Sequence, residues 1–183
     1  MNAEYPSSKL TLRARLLTEH ERLYSLLPAR SLVTRRRYDL AVKWRFFRHH
    51  LHGGDPAAER VYRWHITTRI ESNRRAGFGM DVGKPQDASV YVEEAHKLAA
   101  SMLRYGFLTA CAIPLDCNGE LLNGSHRTAC NMAMGLETIP VVMCDRRVKA
   151  PAWGEAWFIA HGCPAEDLDR IRRDWQSLHG EAL

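Results

Sequence analysis

Residues 113–142 read IPLDCNGELLNGSHRTACNMAMGLETIPVV, and the fold depends mainly on this stretch. Two short apolar runs flank Asn118 and Gly119, a pair that is typical of two-residue hairpin turns with positive φ at both central positions. Residues 113–116 and 120–122 are therefore predicted to pair as antiparallel strands.

After the hairpin, the chain continues with a glycine followed by Ser-His-Arg. A helix is predicted over residues 125–134, and Gly135 is expected to end it because glycine accepts the left-handed conformation found after helices. A third strand is predicted over residues 139–143. This stretch therefore indicates a sheet whose strands surround one short helix.

The start of that helix has the features of an anion site. Unpaired backbone amides and the positive end of the helix dipole converge there, and a glycine lets a phosphate approach the backbone. The residues predicted to bind phosphate are Gly124, Ser125, His126 and Arg127, and the guanidinium can hold two phosphate oxygens at once. The alternative is that Ser125 only caps the helix while His126 and Arg127 are solvated.

The segment LDCNGELLNGSHRTACNMAMGLETIPV resembles the ParB and sulfiredoxin superfamily. Its members share a strand, a G-x-H-R helix start and a following G-x-x-x-I-P-V strand, and the resemblance covers residues 84–145. It implies that this turn binds the phosphates of ATP or a related nucleotide. Asn123, directly before the turn, belongs to the predicted phosphate-binding set.

Two departures from the superfamily pattern change the expected chemistry. Sulfiredoxins carry their reactive cysteine immediately before the His-Arg pair, and this chain has Ser125 there, which argues against sulfinic acid repair. The free serine kinases of the superfamily carry an Asp before the glycine. Asn123 takes that place here, so a carboxylate that could help to hold a metal ion is lost.

The resemblance to the free serine kinases extends to the helix predicted over residues 88–104. Those kinases have Lys-Pro, one residue and then an acidic residue that opens a helix and acts as the catalytic base. In KPQDASVYVEEAHKL this position is Asp87. A carboxylate can take the proton of an attacking hydroxyl. The alternative is that Asp87 is only the N-cap of the helix, which Gly106 would end.

Basic residues are concentrated in the first part of the chain. Residues 1–80 hold 16 Lys and Arg against 7 Asp and Glu, whereas residues 81–183 hold 10 against 14. The N-terminal part is therefore the one expected to meet an anionic partner. Arg63 and Arg69 are the candidate residues for an anionic acceptor, although these arginines could equally lie on solvated helix faces.

Periodicity and capping signals predict further helices on both sides of this core. The Arg35-Arg36-Arg37 triplet, in the early turns of the helix predicted over residues 31–51, is expected in solvent, with neutralisation by a ligand as the alternative. Residues 73–86 are expected to form a loop. The three histidines at 49, 50 and 52 have no acidic or cysteine companion and are expected on the surface, so no metal site is predicted. The further predicted helices span residues 8–27, 31–51, 56–70, 153–161 and 164–178.

The composition indicates a soluble globular protein. No apolar stretch approaches 18 residues and the N-terminus is polar, so a cytoplasmic protein without a membrane partner is expected. The five cysteines are odd in number and never spaced C-x-x-C. They are interpreted as reduced thiols and not as a zinc site or disulfide framework.

The predicted fold class is therefore α+β, a small mixed sheet with helices in a ParB/sulfiredoxin-like core. A basic, mostly helical extension is assigned to residues 1–75, the core to 76–150, and C-terminal helices that pack on the core to 151–183.

The function predicted from the resemblance is a phosphotransferase that uses ATP and Mg²⁺ to phosphorylate a small hydroxylated, possibly anionic, metabolite. The first alternative is a ParB-like nucleotide-binding switch or nucleic-acid-binding module without turnover. The N-terminal arginines favour this alternative, while the lack of a recognisable helix-turn-helix argues against DNA partitioning. A second alternative is a noncatalytic sugar- or nucleotide-binding protein.

Overall fold

The computed structural model describes residues 24–75, 87–108, 111–145 and 153–180. These residues form an α+β fold with six α-helices, a short 3-10 helix and a small three-stranded mixed sheet, so the predicted fold class is confirmed at this level. Its likeness to a ParB/sulfiredoxin core stays a prediction. The elements are β1 Ser25–Pro28, the 3-10 helix Ala29–Leu32, α1 Tyr38–His52, α2 Ala57–Arg75, α3 Ala88–Tyr105, β2 Ile113–Leu115, α4 Ser125–Ala133, β3 Thr138–Met143, α5 Glu155–Ala160 and α6 Ala165–His179.

The sheet has the strand order β1-β3-β2, with β3 in the centre. Strand β1 runs antiparallel to β3, and β2 runs parallel to it. Strand β1 occupies the end of the helix predicted over residues 8–27, so that prediction was wrong for residues 25–27. The backbone of β1 pairs with β3, and this long-range partner outweighs the helical leucine spacing. Residues 8–23 lie outside the described part of the chain.

The turn after β2 differs from the predicted two-residue hairpin. Leu115 and Leu121 make a single antiparallel pairing, and residues 120–122 are not a strand. Gly119 has a φ of 78°, but no described residue other than glycine has a positive φ, so the predicted turn type was wrong. The cause is Asp116, whose carboxylate accepts hydrogen bonds from the amides of Asn118 at 2.8 Å and Glu120 at 2.9 Å.

Helix α1 begins at Tyr38, and residues 31 and 32 belong to the separate 3-10 helix, so the prediction of one continuous helix was wrong for residues 33–37. The backbone before α1 is held in another way, since the Arg36 carbonyl accepts a hydrogen bond from the Trp153 amide at 2.9 Å. The expectation that all three arginines lie in solvent was also wrong, because Arg37 is 1% exposed.

The other predicted helix starts agree with the structure. The Asp55 carboxylate accepts the Ala57 amide at 3.0 Å at the start of α2, and the Asp87 carboxylate accepts the Ser89 amide at 2.8 Å at the start of α3. Helix α2 continues to Arg75, beyond the predicted end at residue 70, so residues 73–75 are not loop. The rest of that predicted loop, 76–86, lies outside the described residues.

Helices α4, α5 and α6 and strand β3 also lie where they were predicted. Gly135 follows α4 with a φ of 75°, as expected for a residue after a helix end. The apolar residues of α6 are buried, which confirms that they pack: Leu168, Ile171, Trp175 and Leu178.

Helix α1 lies at the centre of the hydrophobic core and packs against α2, α4 and α6. Elements from residues 24–75 and 111–145 thus share one sheet and one core, while the domain boundaries at 75 and 150 stay predictions. Within the described ranges, no helix has the length and apolar character needed to cross a bilayer.

Candidate functional site

Gly124 fixes the backbone at the start of α4. Its φ of 89° is left-handed, and a Cβ at this position would lie 2.4 Å from Cδ1 of Ile113. Any other residue here would have to adopt a disfavoured backbone conformation and displace the end of the Ile113 side chain, so the position favours glycine. The Gly124 carbonyl accepts hydrogen bonds from the amide of Thr128 at 2.9 Å and from its hydroxyl at 3.1 Å, which anchors the first turn of α4.

The first turn of α4 presents unpaired amides. The Gly124 amide donates to the side chain of Asn123 at 2.7 Å. The amides of Ser125, His126 and Arg127 have no acceptor in the part of the chain that the structure describes. Three free N–H groups at the positive end of a helix are the arrangement that binds phosphate oxygens.

A fully buried lysine lies beside this turn. Nζ of Lys43, on α1, donates to Oγ of Ser125 at 2.9 Å and also to the carboxylate of Asp39. The same carboxylate receives both arms of the Arg37 guanidinium, at 2.8 and 3.0 Å. The third Arg37 nitrogen donates to the Leu121 carbonyl at 3.0 Å. The side chains of Arg37, Asp39 and Lys43, here called the buried ion cluster, are each at most 1% exposed.

The buried ion cluster carries an excess of positive charge. Asp39 is its single carboxylate, and Arg69 on α2 adds a third cation that acts on Lys43. Burial alone would raise the pKa of Asp39, but Arg37 and Lys43 hold it well below its usual range, so it is ionised. Burial lowers the pKa of Lys43 to about 8; Asp39 acts to raise this pKa, while the charges of Arg69 and Arg37 lower it. The site is therefore suited to an anion that supplies the missing negative charge.

Aromatic side chains surround these cations. The Arg69 guanidinium lies 4.9 Å from the ring centre of Tyr91 and 5.7 Å from that of Trp153. Arg37 and Lys43 lie 5.7 and 5.6 Å from the Trp153 ring centre. The electric field of a cation next to an aromatic face of low dielectric is screened less than the field of a cation in water.

His126 is partly buried, and its ring lies among aromatic side chains. Its Nε2 is 2.8 Å from the hydroxyl of Tyr62, and its ring stacks on Tyr91 at 6.2 Å between centres. Burial lowers the pKa of His126 well below its usual value, and the charges of Lys43 and Arg69 lower it further. His126 is therefore neutral and contributes its backbone amide, not a positive charge, to an anion.

His65 lies in the same region of the core and has an unusual environment. It is fully buried, and neither ring nitrogen has a hydrogen-bond partner among the described residues. Burial and the charge of Lys43 lower its pKa well below the usual value. A buried imidazole without a partner is rare in proteins and points to a polar group or water that completes the site.

The predicted phosphate-binding residues all lie at one place. Ser125, His126 and Arg127 form the first turn of α4, Gly124 is its N-cap, and Asn123 is exposed beside it. The Arg127 guanidinium donates to the carbonyl of Cys111, which orients it along the loop before β2.

The other predicted site residues do not all lie beside the first turn of α4. Arg69 joins the cationic region, whereas Arg63 pairs with Glu59 at 2.7 Å on a partly exposed face of α2. Asp87 is exposed at the start of α3, and Tyr91, one turn later, contacts His126. The charge of Arg63 acts on Asp87, so the N-terminus of α3 and this face of α2 are neighbours.

Asp116, Glu71 and Glu120 are the next candidates for a catalytic base if Asp87 is only a helix cap, and each is placed less favourably than Asp87. The Asp116 carboxylate is 2% exposed and is occupied by turn amides. Glu71 is exposed and pairs with Arg75 at 3.7 Å. Glu120, whose amide donates to Asp116, is partly buried on the same turn.

The sequence interpretation missed the buried ion cluster and the place of Trp153 beside it. One signal was present, since Asp39 and Lys43 are spaced i and i+4 within the apolar helix sequence YDLAVKWRFF. Charges at this spacing on the buried face of a helix indicate an internal ion pair.

No family model, curated protein or solved structure matches this chain.

Proposed function

We propose that the protein binds the phosphate groups of a nucleotide at the start of α4 and transfers a phosphoryl group to a small hydroxylated molecule. One observation carries this proposal: Arg37, Lys43 and Arg69, with Asp39 as their carboxylate, lie beside three helix amides that have no acceptor among the described residues. Amides at a helix start bind phosphate oxygens, and cations in a low dielectric stabilise the charge that spreads over them.

Each part of the site has a role in this proposal. The amides of Ser125, His126 and Arg127 would bind the terminal phosphates, with the guanidinium groups of Arg127 and Arg69 supplying positive charge beside them. Asp87 would take the proton of the acceptor hydroxyl, since it lies one helical turn from Tyr91 at the edge of the site. Arg63 is near enough to Asp87 to contact an anionic acceptor held there.

Magnesium would arrive with the nucleotide in this proposal. Among the described residues, no group of three His, Cys, Asp or Glu could hold a metal ion. Mg²⁺ in phosphoryl-transfer sites is commonly bound by substrate phosphates and water with few protein ligands, and there it neutralises phosphate charge. The donors of the α4 turn suit the phosphates themselves.

Calorimetric titration with ATP tests the binding step. Arg127→Ala should weaken nucleotide binding by roughly 1.5–3 kcal/mol, the range for a hydrogen bond to a charged group. Arg74→Ala, an exposed arginine at the end of α2, is the matched control and should bind like the parent. Equal affinity of the parent and a folded Arg127→Ala protein would contradict the proposed site.

Turnover is tested by incubating the protein with ATP, magnesium and pools of sugars, nucleosides and amino acids while ADP release is followed.

The competing nucleic-acid function predicts tight DNA binding whose affinity falls steeply with salt, because each neutralised phosphate releases counterions. A kinase of small molecules should bind duplex DNA weakly at physiological salt. Tight, salt-sensitive DNA binding without ADP release would refute the proposed function.

A further inference from the structure

The hydroxyl of Ser125 is not used as a helix cap. Gly124 is the N-cap of α4, and no side chain caps this helix. The one described partner of Ser125 Oγ is Nζ of Lys43, at 2.9 Å and 82 positions away in the chain. A serine in the first turn of a helix usually bonds a backbone amide of that turn. Here the hydroxyl is bonded to a buried amine instead.

Lys43 is the group of the buried ion cluster that can release a proton. The Arg37 guanidinium donates to both carboxylate oxygens of Asp39. This bidentate pair is neutral by itself, which leaves the ammonium of Lys43 as the excess buried charge. Five charged or titratable groups act on Lys43 or are acted on by it: Arg37 just before α1, Asp39 of α1, His65 and Arg69 of α2, and His126 of α4.

Ser125 also lies where a phosphorus atom would be held. The unpaired amides of His126 and Arg127 follow it directly, so a phosphate bound by them would have its phosphorus next to Oγ. A nucleophile hydrogen-bonded to its base, with amides ready for the oxygens of the electrophile, is the arrangement that covalent catalysis requires.

We propose that Ser125 is a nucleophile toward phosphorus, with neutral Lys43 as its general base. This inference rests on the proposed function for the identity of the donor, a nucleoside triphosphate. A bond forms between Ser125 Oγ and the terminal phosphorus, the bond from that phosphorus to the bridging oxygen of the nucleoside diphosphate breaks, and the hydroxyl proton moves to Nζ of Lys43. The product is phosphoserine at position 125.

The second half of the reaction returns the protein to its starting state. The acceptor hydroxyl attacks the phosphoserine phosphorus and gives its proton to Asp87. The bond to Ser125 Oγ breaks, and the proton on Lys43 returns to that oxygen. Asp87 then releases its proton to water, so the phosphoryl group and all protons are accounted for, with no oxidant or reductant needed.

Diisopropyl fluorophosphate tests the nucleophile without any nucleotide. The reagent should label Ser125, identified by peptide mass mapping, with release of fluoride. Lys43→Met should lower the labelling rate by about two to four orders of magnitude, the usual contribution of a general base. The rate in the parent should rise with pH to a plateau above about pH 8, near the pKa of Lys43. Ser101→Ala and Lys97→Met, at exposed positions on α3, are the controls and should label like the parent.

Rapid quenching after mixing with ATP and magnesium tests the phosphoryl step. Phosphoserine at position 125 should form at least as fast as ADP is released, and Ser125→Ala should lose both while it still binds ATP. If ATP is consumed with no phosphoserine and Ser125→Ala turns over like the parent, the nucleophile is refuted while the proposed function stands. If ATP does not bind but fluorophosphate labels Ser125 in a Lys43-dependent way, the nucleophile stands and the nucleotide is refuted. Absence of both reactions would refute both.

Discussion

Asp39 is the single carboxylate of the buried ion cluster, and its removal tests how that cluster is balanced. Asp39→Asn keeps the size of the side chain but leaves Arg37 without a counterion, and arginine cannot lose its proton. Breaking a buried ion pair by removing one partner costs about 3–5 kcal/mol. For a protein of this length this corresponds to a fall in Tm of about 6–20 °C. Urea unfolding followed by circular dichroism measures the change.

The same substitution separates an anion site from a purely structural ion cluster. A bound phosphate would replace the lost negative charge, so ATP should raise the Tm of Asp39→Asn more than that of the parent. An added unit charge several ångström away is worth on the order of 2 kcal/mol at an effective dielectric constant near 20. Asp169→Asn, which breaks an exposed pair with Arg172, is the control and should cost less than about 1 kcal/mol. The reasoning is refuted if Asp39→Asn is as stable as this control, or if ATP stabilises it no more than the parent.

Three more substitutions test separate parts of the structure. Gly124→Ala should lower the free energy of unfolding by about 1–3 kcal/mol, because position 124 has a left-handed φ and a new Cβ would meet Ile113. Gly162→Ala is the control and should cost less, since Gly162 has a φ of 75° but no close neighbour. Equal losses in urea titrations would contradict the steric argument. Because the pKa of Lys43 is lowered in the folded protein, the unfolded chain binds more protons than the folded one between about pH 8 and 10.5. Over this range the free energy of unfolding should therefore rise with pH by up to about 3 kcal/mol relative to that of Lys43→Met. Parallel pH curves for the two proteins would show that folding does not shift the pKa of Lys43. Asp87→Asn should keep the N-cap and change stability little, while turnover falls by about two to four orders of magnitude and ATP affinity holds; undiminished turnover would leave Asp87 as a cap only.

Features set by neighbouring residues could be predicted from the sequence. The caps at Asp55 and Asp87 and the glycines after α3 and α4 depend on one or two hydrogen bonds within a turn, and the structure has them where they were expected. The start of α4, with its glycine and unpaired amides, is equally local. This is why the predicted phosphate-binding residues lie together.

Features set by distant residues could not be predicted. Strand β1 depends on its pairing with β3, and the start of α1 depends on the hydrogen bond between Arg36 and Trp153. The contact between Lys43 and Ser125 joins two helices that lie far apart in the chain. The hairpin prediction failed for a nearer reason, because the Asp116 carboxylate organises the turn in place of a second residue with positive φ.

A crystal structure with a nonhydrolysable ATP analogue and magnesium tests the central claim most directly. The account predicts phosphate oxygens about 2.7–3.2 Å from the amides of His126 and Arg127, with Ser125 Oγ or Lys43 Nζ in contact with the terminal phosphate. The claim is contradicted if the crystals contain the analogue only elsewhere, for example in the groove lined by Arg35, Arg36, Trp157 and Trp175, or if saturating analogue leaves the start of α4 empty.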